Sequence, residues 1–166
     1  LNDLKLRENF IERVFGLKRW RDFVREPQSI GALMDFHGRH KLLLNAHCEA
    51  LQRQMGRLLA QADKSASAAS YAVYEQLYLE AMRHPATVTR HINVLQHMLG
   101  YFKRDLTPED KAEVLESLDH YRAGYVPLLV PLTLIRHYIR KYDQTYLKNQ
   151  VYLNPSPLEL KLRNHA

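Results

Sequence analysis

Apolar residues recur along this chain every three or four positions, and strand-like alternation is scarce. That spacing predicts amphipathic helices. A first helix is predicted over 2–26, with Leu6, Phe10, Val14, Leu17 and Val24 as its apolar face and Pro27 as its stop. Ser29 offers a cap for a second helix reaching about Ala46. A third covers Glu49 to Ala62, with Leu51, Met55, Leu58 and Leu59 on one side. The stretch DKSASAAS at 63–70 reads as a linker. A fourth helix runs from about Ala69 to Arg83, before Pro85, and a fifth from a Thr87 cap to about Phe102. Thr107-Pro108-Glu109-Asp110 joins a capping hydroxyl, a first-turn proline and first-turn acids. It opens a sixth helix that ends before Gly124. A seventh covers 126–142, where Pro131 either sits in the first turn or kinks the helix. The tail from Gln144 to Asn164 is punctuated by Tyr and Pro, with short helical pieces at most. The expected architecture is all-α, a single compact helical domain of about seven helices spanning 1–166.

Two predicted helices carry polar stripes. On the second, FHGRHKLLLNAH at 36–47 sets His40 and His47 about 20° apart on the helical wheel and His37 about 60° from His40, with Arg39 and Lys41 beside them. Three imidazoles on one stripe are costly to bury unpaired. They are solvated, satisfied by other helices, or part of a site for something anionic. On the fifth helix, Val88, Ile92, Leu95, Leu99 and Phe102 form an apolar stripe. Arg90, Asn93, His97, Tyr101 and Arg104 form a polar one opposite. That polar face is either solvated or the wall of a groove, since Asn and His both donate and accept, Tyr stacks and Arg forks onto phosphate.

Composition narrows the function classes. Twenty-four Lys and Arg against 18 acids leave a net +6, which favours phosphate-bearing or acidic partners. Lys18, Arg19, Trp20, Arg21 and Arg25 cluster late in the first helix. Arg136, His137, Tyr138, Arg140, Lys141 and Tyr142 close the seventh. Such basic and aromatic interleaving suits RNA with unpaired bases, although Lys and Arg at a helix end also complement its dipole. The one cysteine, Cys48, excludes an internal disulfide framework and a Cys-only metal or iron–sulfur site. A free cysteine suits a cytoplasmic protein, and no apolar run approaches the length of a membrane span.

Catalytic signatures are absent from the sequence. There is no HExxH, GxSxG, P-loop or GxGxxG. Cys48 and His47 are helix neighbours that do not face each other. His40 and His47 lie roughly 10 Å apart along the axis and cannot share an ion. His37 and His40 could share one only with ligands from elsewhere. No catalytic residue and no metal ligand is therefore assigned.

The motifs FHGRHKLLLNAH (36–47), HINVLQHMLGYF (91–102), YRAGYVPLLVPL (121–132) and LIRHY (134–138) resemble the YbgA-like family. So do the opening LKLRENFIERVF (4–15) and the closing LNPSPLELKLRNH (153–165). Members of that family occur alone or behind an iron–sulfur desulfidase domain of the thiouracil-desulfidase type. The chain opens LNDLKLRENF without Met, so excision from a longer chain with an upstream desulfidase domain is expected. The resemblance implies no cofactor in this domain, an iron–sulfur cluster in the upstream one, and no catalysis by this domain itself. The parent protein would be the desulfidase. The implied function is a tRNA-binding accessory domain of a tRNA 4-thiouridine desulfidase, working in cis or in trans. The family's motif positions fall here on His37, Arg39, Lys41, His47, Asn93, His97, Gly100, Tyr101, Tyr121, Arg122, Pro127, Pro131, His137 and Tyr138.

Arg39, Lys41, Arg90, Arg122, Arg136 and Arg140 are expected to contact phosphate. His37, His47, Asn93, His97, Tyr101 and His137 are expected to line a polar groove. Two other functions fit the sequence. A protein-docking or oligomerisation domain predicts an exposed apolar patch. A small-molecule or nucleotide-binding domain predicts that His37, His97 and Tyr101 converge on one cavity.

Overall fold

Four helix starts in this protein are set by side-chain caps. In the computed structural model, which describes residues 3–25, 29–62, 67–157 and Arg163, Asp3 accepts from the Lys5 and Leu6 amides and opens α1 (Leu4–Phe23). Ser29 caps α2 (Ile30–Gln61) through the Ala32 amide. Helix α3 spans Ser67–Ala81. Thr87 caps α4 (Val88–Leu99), which tightens into a 3-10 turn over Gly100–Phe102. Thr107 and Asp110 satisfy each other's backbone amides in a capping box at the head of α5 (Pro108–Arg122). Helix α6 covers Leu129–Lys141, a short α7 Thr145–Lys148, and a last 3-10 turn Val151–Leu153. Every regular element among the described residues is helical, so the fold is all-α as the periodicity predicts. The Pro27 stop, residues 63–66 of the predicted linker and the tail beyond 157, apart from Arg163, lie outside the described residues, while 67–70, read as linker from their Ser and Ala content, form the first turn of α3.

The second and third predicted helices are continuous except at Cys48, whose φ of −156° and ψ of 97° are extended. That is the predicted gap between Ala46 and Glu49, expressed as a sharp break. Pro131 lies in the first turn of α6, where its missing N–H costs no intrahelical bond. Helix α5 ends at Gly124, whose φ of +78° is the left-handed conformation that glycine adopts without a Cβ clash. The Tyr125 amide then reaches back to the His120 carbonyl at 2.9 Å.

Helix α2 runs through the centre. Leu42, Leu43 and Leu44 are consecutive and all fully buried, so this segment is enclosed on every side. An aromatic cluster sits beside it, with Trp20 packed on Phe36, Tyr74 and Tyr78 at centroid distances of 5.5–5.7 Å. Removing a ring buried this deeply typically costs about 3–5 kcal/mol. Gln150 ties the C-terminal segment to the same helix, donating to the Gly38 carbonyl at 2.8 Å.

The buried face of α1 is not the predicted one. Leu6, Phe10, Val14 and Val24 are exposed, while Glu12, Gly16 and Trp20 face the core. The physical reason is close approach. A Cβ on Gly16 would lie 3.0 Å from the Met82 side chain and 3.3 Å from the Tyr78 hydroxyl, which donates to the Gly16 carbonyl. A large apolar residue cannot come this near α3, so the Gly16–Trp20 face packs there. Trp20 therefore leaves the basic–aromatic cluster expected around residues 18–25. Its indole N–H is committed to Glu75 at 2.8 Å, and Arg19 donates to the Pro155 carbonyl at 2.7 Å.

Candidate functional site

The histidine stripe of α2 is held from within the fold through its Nδ1 atoms, while Nε2 of His40 and of His47 is buried without a hydrogen bond among the described residues. His37 is buried, with Nδ1 3.1 Å from the Tyr74 hydroxyl and Nε2 3.2 Å from the Gln52 amide. His40 donates from Nδ1 to the Phe36 carbonyl at 2.8 Å and stacks on the Phe36 ring. His47 donates from Nδ1 to the His84 carbonyl at 2.6 Å. Burial lowers His37 to about 4 and His40 to about 3, so neither carries charge at neutral pH. Of the three readings of this stripe, partners inside the fold come nearest: Tyr74 of α3 and Gln52 of α2 for His37, the Phe36 carbonyl of α2 for His40, and the His84 carbonyl after α3 for His47.

Beneath it lies a buried ionic network. Glu12, 4% exposed, takes the Arg163 guanidinium on Oε1, from Nε at 2.9 Å and Nη2 at 2.8 Å. His47 Nε2 stands 3.4 Å from Glu12 Oε2. Burial alone would raise the Glu12 pKa. The Arg163 charge and the His47 contact outweigh it and hold the carboxyl well below the usual range. Arg163 also donates to the Tyr152 carbonyl at 2.7 Å, lies over the Tyr152 ring at 4.6 Å, and gives its amide to Glu8 at 2.7 Å. Its φ of +66° is unusual for a non-glycine residue and is held by contacts on both sides of its backbone. Tyr152 passes the network to His91, whose Nδ1 is 2.8 Å from the Tyr152 hydroxyl. This buried charge pair joins α1 to residue 163.

The basic residues separate by what they already hold. Arg90 donates to the His47 and Pro85 carbonyls, and Arg136 to the Leu153 carbonyl and Asn154, so these two brace loops rather than face a ligand. Arg39 is paired with Asp35 and Arg122 with Asp119, both in the open. Arg140 is exposed and Lys41 half-buried, and neither has an ion pair among the described residues.

Beyond its first turn, where Val88 and Arg90 are both half-buried, the α4 stripes are arranged as the sequence predicts. Ile92, Leu95, Leu99 and Phe102 are buried, and Asn93, His97, Tyr101 and Arg104 are exposed. Tyr101 stacks on Tyr146 of α7, with centroids 5.4 Å apart and planes 16° from parallel, and the His97 ring meets it edge-on at 5.6 Å. Phe102 packs 6.1 Å from Tyr142, which joins this end of α4 to the end of α6. Lys141 lies over the Tyr142 ring at 5.1 Å. Lys103, Arg104, Arg140 and Lys141 are all exposed on these abutting segments, against the exposed acids Asp105 and Asp143. Asp143 is paired with Lys148.

The expected polar groove is therefore not a single surface. His37 and His47 belong to the core, whereas Asn93, His97, Tyr101 and His137 are outside it. The cavity expected from convergence of His37, His97 and Tyr101 is not formed, because burial on α2 and exposure on α4 separate them. Glu12, His91, Tyr152 and Arg163 went unassigned in the sequence. The signal available was the row Glu8, Glu12, Gly16, Trp20 at four-residue spacing, an acid on the same stripe as a glycine and a tryptophan.

Residues 41–157 match the family described as "Protein of unknown function (DUF1722)". The uncharacterized protein YbgA of Escherichia coli (strain K12) is 30% identical over 165 residues, covering 99% of this chain and 98% of that protein. No solved structure matches. The family span takes in the polar face of α4 and the aromatic end of α6, while the YbgA match extends to both ends that meet in the Glu12–Arg163 network. The chain belongs to the YbgA-like, DUF1722 family.

Proposed function

We propose that this domain binds tRNA, and presents a thiolated base to a 4-thiouridine desulfidase domain acting in cis or in trans. The observation that carries the binding part is the stack of the exposed Tyr101 on the half-buried Tyr146, edged by His97, with Lys103, Arg104, Arg140 and Lys141 exposed on the adjoining ends of α4 and α6. Aromatic faces take unpaired bases and the cations take the phosphates between them. The family's association with desulfidase domains supports the delivery part. The domain itself supplies no catalytic group in this reading, and the contact residues shift from six arginines and lysines spread over the chain to one end of the bundle.

The test is binding of the domain to 4-thiouridine-containing tRNA, unmodified tRNA and duplex DNA across a salt series. With four cations each neutralising one phosphate, log affinity should fall against log salt with a slope of about −3 for single-stranded contacts. tRNA should bind ahead of duplex DNA. A flat salt response, or no preference for RNA, contradicts the proposal.

The exposed apolar row on α1 favours a second reading, docking onto a protein such as the desulfidase domain. Leu6 and Phe10 are 52% and 57% exposed, in line with Val14. A row of this kind fits a partner in the same assembly, and it would be compatible with RNA held at the other site.

A further inference from the structure

A cleft of about 250 Å³ lies between the end of α4, with its 3-10 turn, and the first half of α5. That is just under the roughly 300–1,000 Å³ of drug-sized sites, so a guest there is compact. The buried Leu99 and Phe102, the half-buried Leu106 and the exposed Leu115 give it apolar wall. Gly100 leaves space beside them, since a Cβ there would meet nothing within 4 Å.

The polar wall comes from Gln96, Lys103 and Lys111. The two lysines belong to different elements, Lys103 following the 3-10 turn and Lys111 on α5, and both are exposed. Neither has an ion pair among the described residues. Their neighbours in the chain explain this. The positions three and four residues from Lys103 hold Leu99, Gly100, Leu106 and Thr107. Those from Lys111 hold Thr107, Pro108, Val114 and Leu115, so neither lysine has an acid at helical pairing distance. The acids nearest in the chain are Asp105, Glu109 and Asp110. None of them lines the cleft, and Asp110 is turned to the Thr107 amide in the capping box.

Apolar wall beside two uncompensated cations complements a molecule with a hydrocarbon body and one negative end. Covering the apolar wall supplies affinity, and the lysines choose the sign of the charge. A bare anion would gain only the weak attraction of exposed lysines. We propose that this cleft binds a small apolar carboxylate, with its hydrocarbon against Leu99, Phe102, Leu106 and Leu115 and its carboxylate towards Lys103 and Lys111. Lys103 also edges the proposed RNA surface, but Lys111 and Leu115 do not, and the site stands whether or not RNA binds.

The test is NMR titration of the ¹⁵N-labelled domain with phenylacetate. Phenylacetamide and phenethylamine serve as neutral and cationic probes of similar shape, and acetate as the anion without the body. The expected result is saturable movement of the Leu106, Lys111 and Leu115 amide signals with phenylacetate, weaker binding of phenylacetamide, and none of phenethylamine or acetate. Lys111→Gln should weaken phenylacetate about threefold to fivefold, the worth of one exposed ion pair, and leave phenylacetamide unchanged. A lysine that only shaped the fold would alter both probes alike. Leu115→Ser should weaken both, because it removes apolar wall. Absence of saturable shifts at these residues, equal binding of phenylacetamide, phenethylamine or acetate, or unchanged phenylacetate affinity in Lys111→Gln would overturn the assignment. Movement of these signals by an RNA oligonucleotide and by none of the small probes would also overturn it, and would give the cleft to the nucleic acid.

Discussion

The core of α2 and the outer face of α4 carry the same kinds of residue and treat them in opposite ways. On α2, His37, His40 and His47 each reach a carbonyl, a hydroxyl or an amide inside the fold. On the outer face of α4 and the turn after it, His97 meets the Tyr101 ring and Tyr101 stacks on the half-buried Tyr146 of α7. A histidine whose partners are built in is part of the architecture. One whose neighbours are an open aromatic stack and exposed lysines is available to a ligand. Residue type and helical spacing are alike in the two places. What differs is whether the surrounding fold encloses the ring and supplies a hydrogen-bond partner.

The comparison breaks most severely at Glu12. Glu12→Ala leaves the buried Arg163 guanidinium without its counter-charge and should lower the unfolding free energy by about 3–5 kcal/mol, read by urea denaturation. A loss under about 1 kcal/mol would mean that the network is not closed in solution. Acid should act next. His37, His40 and His91 are held neutral in the folded state and recover an ordinary pKa on unfolding. Their folded values are depressed, so the unfolded chain binds the extra protons and stability is lost as pH falls from about 6.5 towards 4. The expected slope is roughly 1.4 kcal/mol per pH unit for each histidine. A stability that is flat between pH 7 and pH 5 would place these rings in contact with water.

Effects on the α4 face should be small for stability and larger for binding. Tyr101→Ala should change unfolding free energy by about 0.5 kcal/mol or less. It should weaken single-stranded RNA by about 1–3 kcal/mol, which is the loss of one stacked base. Equal loss of stability and affinity would assign Tyr101 to the fold instead. Arg39→Ala is the smallest change. Its pair with Asp35 is exposed at both ends, so stability should move by less than about 0.5 kcal/mol and RNA affinity should be unchanged.

Much of the fold was legible locally. Ser29, Thr87 and Thr107 cap the helices they were expected to cap, and the interruption between Ala46 and Glu49 is the extended residue Cys48. These features depend on a few neighbouring residues. The faces of α4 were legible because its apolar stripe is continuous and unopposed. Helix α1 was misread because it carries two candidate faces, and the one with more apolar residues is exposed. Only contact with α3 selects the other, through the absence of a side chain at Gly16. The ionic network was out of reach for a similar reason. Glu12 and Arg163 are 151 residues apart, and nothing local marks either as buried. The candidate site was half legible: His97, Tyr101 and Arg140 stand in the open as expected, but Tyr146, which completes the stack, comes from a tail that the periodicity left unassigned.

The most direct measurement is an NMR footprint of a single-stranded RNA oligonucleotide on the labelled domain. The account predicts that side-chain signals of His97, Tyr101 and Tyr146 move while those of His37, His40 and His47 stay in place. Shifts confined to α1, or shifts at the α2 histidines with none at Tyr101, would contradict it.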